Sequence, residues 1–165
     1  MNNKLTQVDI KKMKEEIDYR ITVLRPKLLK EVVRTRAFGD LSENAEYHIA
    51  KQEKNKNDRR IRFLQNMINT AEVVETTADV NTVGLFDKVT VLIEEDGEEE
   101  TYQLVTTMRA EVMENRISIE SPAGKALSGK KVGDRVLINV NPSYSYYVKI
   151  LSIEKGIDDE NIELR

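Results

Sequence analysis

Hydrophobic residues recur every three or four positions along the first part of the chain, from about Thr6 to Ala37. This period places them on one face of an α-helix and leaves the charged residues on the other faces. The stripe consists of Ile10, Met13, Ile17, Ile21, Leu24, Leu28 and Val32. Pro26 falls inside it, and an internal proline removes a helical hydrogen bond. We therefore expect a long helix with a kink, or a short break with Pro26 at the first position of a new helical segment.

A second stripe with the same period runs from about Glu43 to Val74. Its members are Ala50, Asn57, Ile61, Leu64, Ile68 and Ala71. Two narrow stripes joined by a few residues predict an antiparallel hairpin of two helices, packed as a coiled coil. A helix of about 30 residues is roughly 45 Å long. The turn between the helices, at residues 39–47, would therefore lie at the end of a rod.

After residue 76 the helical period stops, and β-branched residues alternate with polar ones. Five stretches read as strands: Val89–Ile93, Thr101–Val105, Arg116–Glu120, Val136–Val140 and Tyr146–Ile153. Asp96 and Gly97 are suited to the positive φ angles of a tight hairpin turn. Ser121 and Pro122 can start a short helix that ends at Gly129. The sequence therefore predicts an α+β protein, with a helical domain at residues 1–77 and a small, mostly antiparallel β domain with one short helix at residues 78–165.

Composition narrows the possible functions. The chain has no cysteine, which excludes disulfides and thiolate metal sites. The first residues lack the apolar segment of a signal peptide, and no run of about 18 apolar residues occurs. Residues 1–80 hold 16 Lys and Arg against 13 Asp and Glu, whereas residues 81–165 hold 10 against 16. We expect a cytoplasmic protein without a membrane segment, whose weakly positive first half permits contact with a polyanion.

The turn Gly-Asp-Leu-Ser-Glu-Asn-Ala-Glu-Tyr carries two carboxylates three residues apart, Asp40 and Glu43. One interpretation is structural. Gly39 would end the first helix in a left-handed conformation, Asp40 would be the N-cap of the second helix, and Glu43 would occupy its N3 position. The other interpretation is that the two acids hold a divalent cation. Because Mg²⁺ is usually bound by one or two carboxylates together with water and substrate phosphates, this pair would be half a site.

The other polar residues near the turn do not form a catalytic set. His48 is the only histidine, so no Ser/His/Asp or Cys/His nucleophile can be assembled, and we expect it to be a partly exposed helical residue. The glycines do not have the spacing of a phosphate-binding loop. An enzyme that acts alone is therefore not expected. Four basic residues flank the turn, and they either form a solvated face with ion pairs or contact phosphates. These are Arg34, Arg36, Lys51 and Lys54.

The stretch from Arg36 to Lys51 closely resembles the tip of the bacterial Gre transcript cleavage factors, the GreA/GreB family. Leu24-Arg25-Pro26 before it also resembles that family, as do Ile117–Lys130 and Val132–Asp134 after it. The resemblance implies an N-terminal coiled coil and an FKBP-like C-terminal domain. It further implies that the C-terminal domain docks on RNA polymerase beside the secondary channel, and that the coiled coil reaches the polymerase active site.

The same resemblance implies a role for the turn. Asp40 and Glu43 would help to hold the second Mg²⁺ of the polymerase and to orient the attacking water, so that the polymerase cleaves its own backtracked RNA. The protein would then bind no metal alone and would not be an enzyme by itself. Arg36 and Lys51 match basic positions that the family uses near the 3′ end of the nascent RNA. The residues implied to shape the turn or contact the polymerase are Gly39, Ser42, Asn44 and Tyr47.

Two segments depart from the family pattern, Val105–Met113 and Pro142–Tyr147. Both fall in the half of the chain expected to dock on the polymerase. An alternative function is therefore a Gre-like channel binder that regulates or inhibits polymerase without stimulating cleavage. Inhibitory relatives tend to carry extra acids at the tip, and the tip loop before Asn44 has only Asp40 and Glu43, which favours stimulation. An FKBP-like prolyl isomerase is a weaker alternative, because few aromatic residues are present to line a pocket.

Overall fold

The computed structural model describes residues 3–39, 44–76 and 79–165. Within this part the chain forms two compact units. The first contains Ile10–Ala71, and the second combines Lys4–Asp9 with Glu72–Arg165. The predicted domain boundary between residues 77 and 78 lies outside the described residues and stays a prediction.

The first unit is a helical hairpin, as the two stripes predicted. The bounds are Gln7–Tyr19 for α1, Arg25–Arg36 for α2 and Ala45–Asn69 for α3, with a π-helical segment at Arg20–Leu24 between α1 and α2. Contacts between the helices join Thr35 to Asn44, Arg20 to Asn57 and Glu16 to Arg60. Residues nearer the start of the first arm contact residues nearer the end of the second arm, so the two helical arms run antiparallel.

The second arm is shorter than predicted. Its helix α3 ends at Asn69 instead of continuing to Val74. The next residues, Ala71–Val73, form strand β2, which pairs with strand β1 at Asn3–Leu5. Residue Ala71 therefore belongs to a strand and not to the helical stripe. A strand partner from the start of the chain decided this boundary, and local periodicity carries no signal for a partner so distant in sequence.

Pro26 is accommodated by a change of helix type. The preceding π-helical turn is wider than an α-turn, and the N–H of Arg25 bonds to the carbonyl of Arg20, five residues back. Pro26 is the second residue of α2, one position later than the first position expected for it. Proline is tolerated there because the first N–H groups of a helix have no partner within that helix.

A polar network crosses between the two arms. Glu16 accepts hydrogen bonds from Nε of Arg20 at 2.8 Å and from Nε of Arg60 at 2.7 Å. Asn57, which is 3% exposed, accepts a bond from Arg20 Nη1 at 3.0 Å and donates to the Arg20 carbonyl at 3.2 Å. Burial alone would raise the pKa of Glu16, but the hydrogen bonds from Arg60 and Arg20 outweigh it and lower that pKa. The polar member of the apolar stripe, Asn57, thus has specific partners on the other arm.

The second unit contains a five-stranded sheet with the order β5-β4-β3-β7-β6. The bounds are Lys88–Ile93 for β3, Glu99–Val105 for β4, Arg116–Ser118 for β5, Arg135–Asn141 for β6 and Tyr144–Glu154 for β7. All neighbours are antiparallel except β4 and β5, which are parallel. The five predicted strands and the mostly antiparallel sheet are confirmed.

The turn between β3 and β4 differs from the expected one. Of the two turn residues, only Gly97 has a positive φ, at 74°. The Gly97 N–H bonds to the Ile93 carbonyl, and the Ile93 N–H bonds to the Glu98 carbonyl. The loop therefore spans residues 94–97 and needs one left-handed residue, whereas the predicted two-residue turn needs two.

The short helix α4, Pro122–Leu127, packs on one face of the sheet. Ser121 is its N-cap and accepts a hydrogen bond from the Gly124 N–H at 3.0 Å. A Cβ atom at Gly124 would lie 2.0 Å from the Ser118 carbonyl oxygen, so only glycine fits there. Gly129 follows the helix with a φ of 79°, as expected for a helix terminator. The buried core beneath consists of Val83, Val89, Val91, Leu104, Leu127, Val136, Ile138, Val148 and Ile150.

The second unit also contains a buried arginine with two acidic partners. The side chain of Arg109 is 0% exposed, and its Nε lies 2.6 Å from Oδ1 of Asp9, which is also fully buried. Its Nη1 lies 2.6 Å from Oδ1 of Asp158, and its guanidinium lies 5.1 Å from the centre of the Phe86 ring. Asp9 also exchanges hydrogen bonds with Thr6, a capping box at the start of α1. Sequence periodicity gave no signal for this network.

The contacts of Arg109 explain part of the departure from the family pattern at Val105–Met113. Residues Val105, Thr106, Met108 and Arg109 are buried, so this portion of the segment serves the interior of the unit. Val112 and Met113 are 83% and 89% exposed. The departure from the family pattern is therefore divided between core and surface.

We predict that Arg109→Ala destabilises the second unit by about 3–5 kcal/mol, because it leaves the carboxylate of Asp9 buried without its charge partner. Urea unfolding of the full chain, followed by circular dichroism, measures this loss. Arg34→Ala is the control, since Arg34 pairs with Glu31 on the surface and its removal should change the midpoint little. Equal midpoints for the two variants would show that the buried pair is not important for stability.

Candidate functional site at the hairpin turn

Asn44 joins the two arms of the hairpin where the turn enters α3. It is the N-cap of α3, and its Oδ1 accepts a hydrogen bond from the Tyr47 N–H at 3.0 Å. Its Nδ2 donates to the carbonyl of Thr35, in the last turn of α2, at 2.6 Å. One side chain thus satisfies an unpaired amide at the start of one helix and a carbonyl near the end of the other.

This geometry corrects the structural interpretation of the two acids. Asp40 was expected to be the N-cap of the second helix with Glu43 at N3, but the cap is Asn44 and position N3 is Tyr47. The reason is local: an asparagine immediately before the first helical turn caps as well as an aspartate does. Asp40, Ser42 and Glu43 themselves lie outside the described residues. Neither acid is required to cap α3.

The first helical arm ends as expected, with Gly39 in a left-handed conformation after α2. The C-cap of α2 is Ala37, and Gly39 follows with a φ of 107°. No atom lies within 4 Å of a Cβ built on Gly39, so glycine is favoured here by its backbone conformation and not by a close neighbour. The Phe38 N–H bonds to the Thr35 carbonyl at 3.2 Å. The Thr35 carbonyl thus accepts from both sides of the turn.

The two rings after the turn have different environments. Tyr47 is 8% exposed and belongs to the buried face of α3. His48 is exposed, and its ring centroid lies 5.6 Å from that of Tyr47 at an angle of 58°. A tyrosine this buried contributes packing that fixes the hairpin near its turn.

The four basic residues near the turn fall into two pairs. Arg34 makes a bidentate ion pair with Glu31, with its Nη2 at 2.6 Å, and Lys54 pairs with Asp58 at 3.1 Å. The hydrogen bond from Arg34 is also the main cause of a lowered pKa at Glu31. These two basic residues form the solvated, ion-paired face that the first interpretation described.

Arg36 and Lys51 behave differently. Both are exposed, and within the described ranges of the chain neither has an ion pair. Arg36 is the last residue of α2, where a positive charge is favoured by the helix dipole. Both cations are therefore available to an anionic partner in a way that Arg34 and Lys54 are not.

Metal binding by the described residues is not supported. In residues 3–39, 44–76 and 79–165, no group of three or more His, Cys, Asp or Glu is placed to hold an ion. The candidate ligands Asp40 and Glu43 lie outside these ranges. Their carboxylate oxygens are of the type that Mg²⁺ prefers, so a magnesium site at the turn, completed by another molecule, remains a prediction.

In the same described ranges, no helix has the length and apolarity needed to cross a membrane.

We predict that Asn44→Ala loosens the turn, because it removes the cap of α3 and the bond to Thr35. The loss should be about 1 kcal/mol, which corresponds to roughly fivefold faster hydrogen exchange at the Tyr47 amide. Asn44→Asp is the matched variant, since it keeps a capping oxygen for the Tyr47 N–H and replaces the amide donor to Thr35 by a charged acceptor oxygen. If both variants exchange at the wild-type rate, the cap is not what orders this end of the hairpin.

Comparison with known proteins covers both units. The family described as "Transcription elongation factor, N-terminal" matches residues 3–73, and the family described as "Transcription elongation factor, GreA/GreB, C-term" matches residues 77–155. The chain is 40% identical to transcription elongation factor GreA of Chelativorans sp. (strain BNC1) over 92% of its own length and 97% of that protein. It is also 40% identical to GreA of Sinorhizobium medicae (strain WSM419), over 92% of its length and 96% of that protein.

Among solved structures, the Gfh1 protein of Thermus thermophilus is 24% identical, with a TM-score of 0.43 over 94% of this chain and 100% of that one. The sequence relationship rests on the two family matches and on relatives of nearly equal length. The chain therefore belongs to the GreA/GreB family of transcription elongation factors.

Proposed function

We propose that the protein is a transcription elongation factor that binds RNA polymerase and stimulates the polymerase's own cleavage of backtracked RNA. The observation that carries this proposal is the 40% identity to curated GreA proteins across 92% of the chain. That range includes both units and the turn with Asp40 and Glu43. Cleavage would release the arrested RNA end and allow elongation to restart.

Finer features of the fold form part of the proposal. We assign the hairpin to a coiled coil that enters the secondary channel, and the sheet unit to an FKBP-like domain that docks beside that channel. The antiparallel contacts at Glu16, Arg20 and Thr35 support the first assignment. The sheet covered by the single helix α4 supports the second.

The turn would supply the chemistry. Because Asn44 caps α3, Asp40 and Glu43 are not needed for that purpose and can serve as ligands and as acceptors for the attacking water. In the polymerase active site, Mg²⁺ ions would stabilise the attacking and the leaving oxygen during RNA cleavage. The protein would hold its two carboxylates there and would be inactive as an enzyme by itself.

Arg36 and Lys51 would contact the RNA. Both are exposed and without ion pairs in the described part of the chain, so their charges are available for phosphates. Arg34 and Lys54 are already paired with Glu31 and Asp58. The proposed partners are thus RNA polymerase and the 3′ end of its nascent RNA, which places the protein in the bacterial cytoplasm and away from membranes.

The alternative, a channel binder that regulates polymerase without stimulating cleavage, is not favoured. The curated relatives are transcription elongation factors. The turn also carries only Asp40 and Glu43 as acids before α3 begins. A cleavage assay separates the two functions.

Asp40→Ala and Glu43→Ala should each reduce RNA fragment release from backtracked elongation complexes by about 100-fold or more, since each removes a group that stabilises charge at the reacting atoms. The assay detects short 3′ RNA fragments in the presence of Mg²⁺. Binding to the polymerase should stay within about twofold of wild type, because Asn44 and not either acid caps α3. Glu46→Ala, which removes a neighbouring exposed acid, is the control and should cleave normally.

Two results would contradict this assignment. Wild-type protein that binds polymerase but releases no fragments would support the regulatory alternative. Loss of polymerase binding in Asp40→Ala or Glu43→Ala would show that the acids are needed to shape or dock the turn.

The double variant Arg36→Ala/Lys51→Ala should reduce cleavage of long backtracked RNA by about fivefold, with a smaller effect at higher salt. The matched control is Arg34→Ala/Lys54→Ala, which removes the same charge from side chains that already have partners. Crosslinking to the RNA 3′ end reports the contact directly. An unchanged crosslink in the first variant, or equal effects in both, would refute RNA contact by this pair.

A further inference from the structure

The β3–β4 turn and the β6–β7 hairpin meet at one end of the sheet. Ile93 pairs with Val148, and the Glu94 N–H bonds to the Tyr147 carbonyl at 3.1 Å. This register brings the acids of the turn beside the tyrosines at the start of β7. These tyrosines belong to the second segment that departs from the family pattern, Pro142–Tyr147.

One tyrosine of this group already holds a cation. The guanidinium of Arg135 lies 3.6 Å from the centre of the Tyr147 ring. Glu94 binds the same guanidinium through two oxygens, with Nε and Nη2 each at 2.9 Å. A ring face and a carboxylate together form a cradle for a planar cation.

The opposite face of the sheet also carries tyrosine rings and a glutamate. Tyr144 and Tyr146 point to the other side from Tyr147, because side chains alternate along a strand. Their ring centroids lie 5.7 Å apart with an angle of 32° between the planes. The Tyr144 hydroxyl donates to Oε2 of Glu95 at 2.8 Å. Tyr144 is 45% exposed, so part of this cradle is open to solvent.

Both phenols stay neutral at neutral pH. The hydrogen bond to Glu95 is the main cause of the raised pKa of Tyr144, and burial raises that of Tyr146. The rings therefore keep their hydroxyl protons, and Glu95 supplies the negative charge of this cradle.

The second cradle has no cation of its own. In the part of the chain that the structure describes, no Lys or Arg lies over the ring of Tyr144 or Tyr146. Residues 94–100 contain six acids and no basic residue, and residues 81–165 carry an excess of acids. This charge attracts a basic group and disfavours a nucleic acid.

We propose that Tyr144, Tyr146 and Glu95 form a binding site for an arginine side chain on an exposed segment of a protein partner. The guanidinium lies against the tyrosine rings and pairs with the Glu95 carboxylate, as Arg135 does with Tyr147 and Glu94 on the opposite face. Arginine fits better than lysine because its planar group stacks on a ring and binds a carboxylate in two places at once. The site does not depend on the activity proposed for the turn.

The test is an NMR titration of the ¹⁵N-labelled full chain with the peptide acetyl-Gly-Arg-Gly-amide, taken to high millimolar concentration. The control peptide replaces arginine by citrulline, which has the same shape without the charge. The arginine peptide should give saturable shifts at Tyr144, Tyr146 and Glu95, with an affinity at least fivefold higher than that of the citrulline peptide.

Variants locate the site. Tyr144→Ala and Glu95→Gln should each weaken arginine binding at least threefold, whereas Tyr144→Phe keeps a ring face and should bind within about twofold of wild type. Tyr19→Ala removes a tyrosine of similar exposure, 51%, from the helical hairpin and should have no effect. Equal shifts with both peptides, no saturable shift at these residues, or full binding by Tyr144→Ala would each overturn the proposal.

Discussion

The two hydrogen bonds of Asn44 join the two arms of the hairpin beside the turn. They couple the start of α3 to the last turn of α2, at 3.0 Å and 2.6 Å. Because Asn44 caps α3, neither Asp40 nor Glu43 is used as that cap, which is what the proposed role of the two carboxylates requires. Asparagine is suited to this position because it has both an acceptor and a donor, whereas aspartate has only acceptors.

The second unit shows how a divergent sequence segment can be absorbed by the interior. Arg109 is fully buried, and its charge is balanced by Asp9, which comes from the other end of the sequence, and by Asp158. A buried arginine of this kind is costly without its partners. The residues around it therefore act as one set, and a change in segment 105–113 involves the first turn of α1 and the C-terminal segment as well.

Charged residues in both units divide into those that are already paired and those that are not. On the hairpin, Arg34 and Lys54 have acidic partners, while Arg36 and Lys51 have none among the described residues. On the sheet, the cradle of Tyr147 and Glu94 holds Arg135, while no Lys or Arg of the described residues lies over the ring of Tyr144 beside Glu95. Sequence does not separate these classes, because whether a charge is satisfied depends on neighbours that the fold brings together.

The sequence by itself determined the two helical arms, the five strands, the short helix with its Ser121 cap, and the family to which the turn belongs. These features follow from local periodicity, from turn and cap residues, and from a motif of contiguous residues. The tertiary structure alone decided that α3 gives way to β2 at Ala71, that the chain widens into a π-helical turn before Pro26, that Asn44 caps α3, and that Arg109 is buried against Asp9. The π-helical turn is the form taken by the disturbance that Pro26 predicts. The other three depend on a partner distant in sequence or on a competition between equally good local candidates, and neither leaves a periodic pattern in the chain.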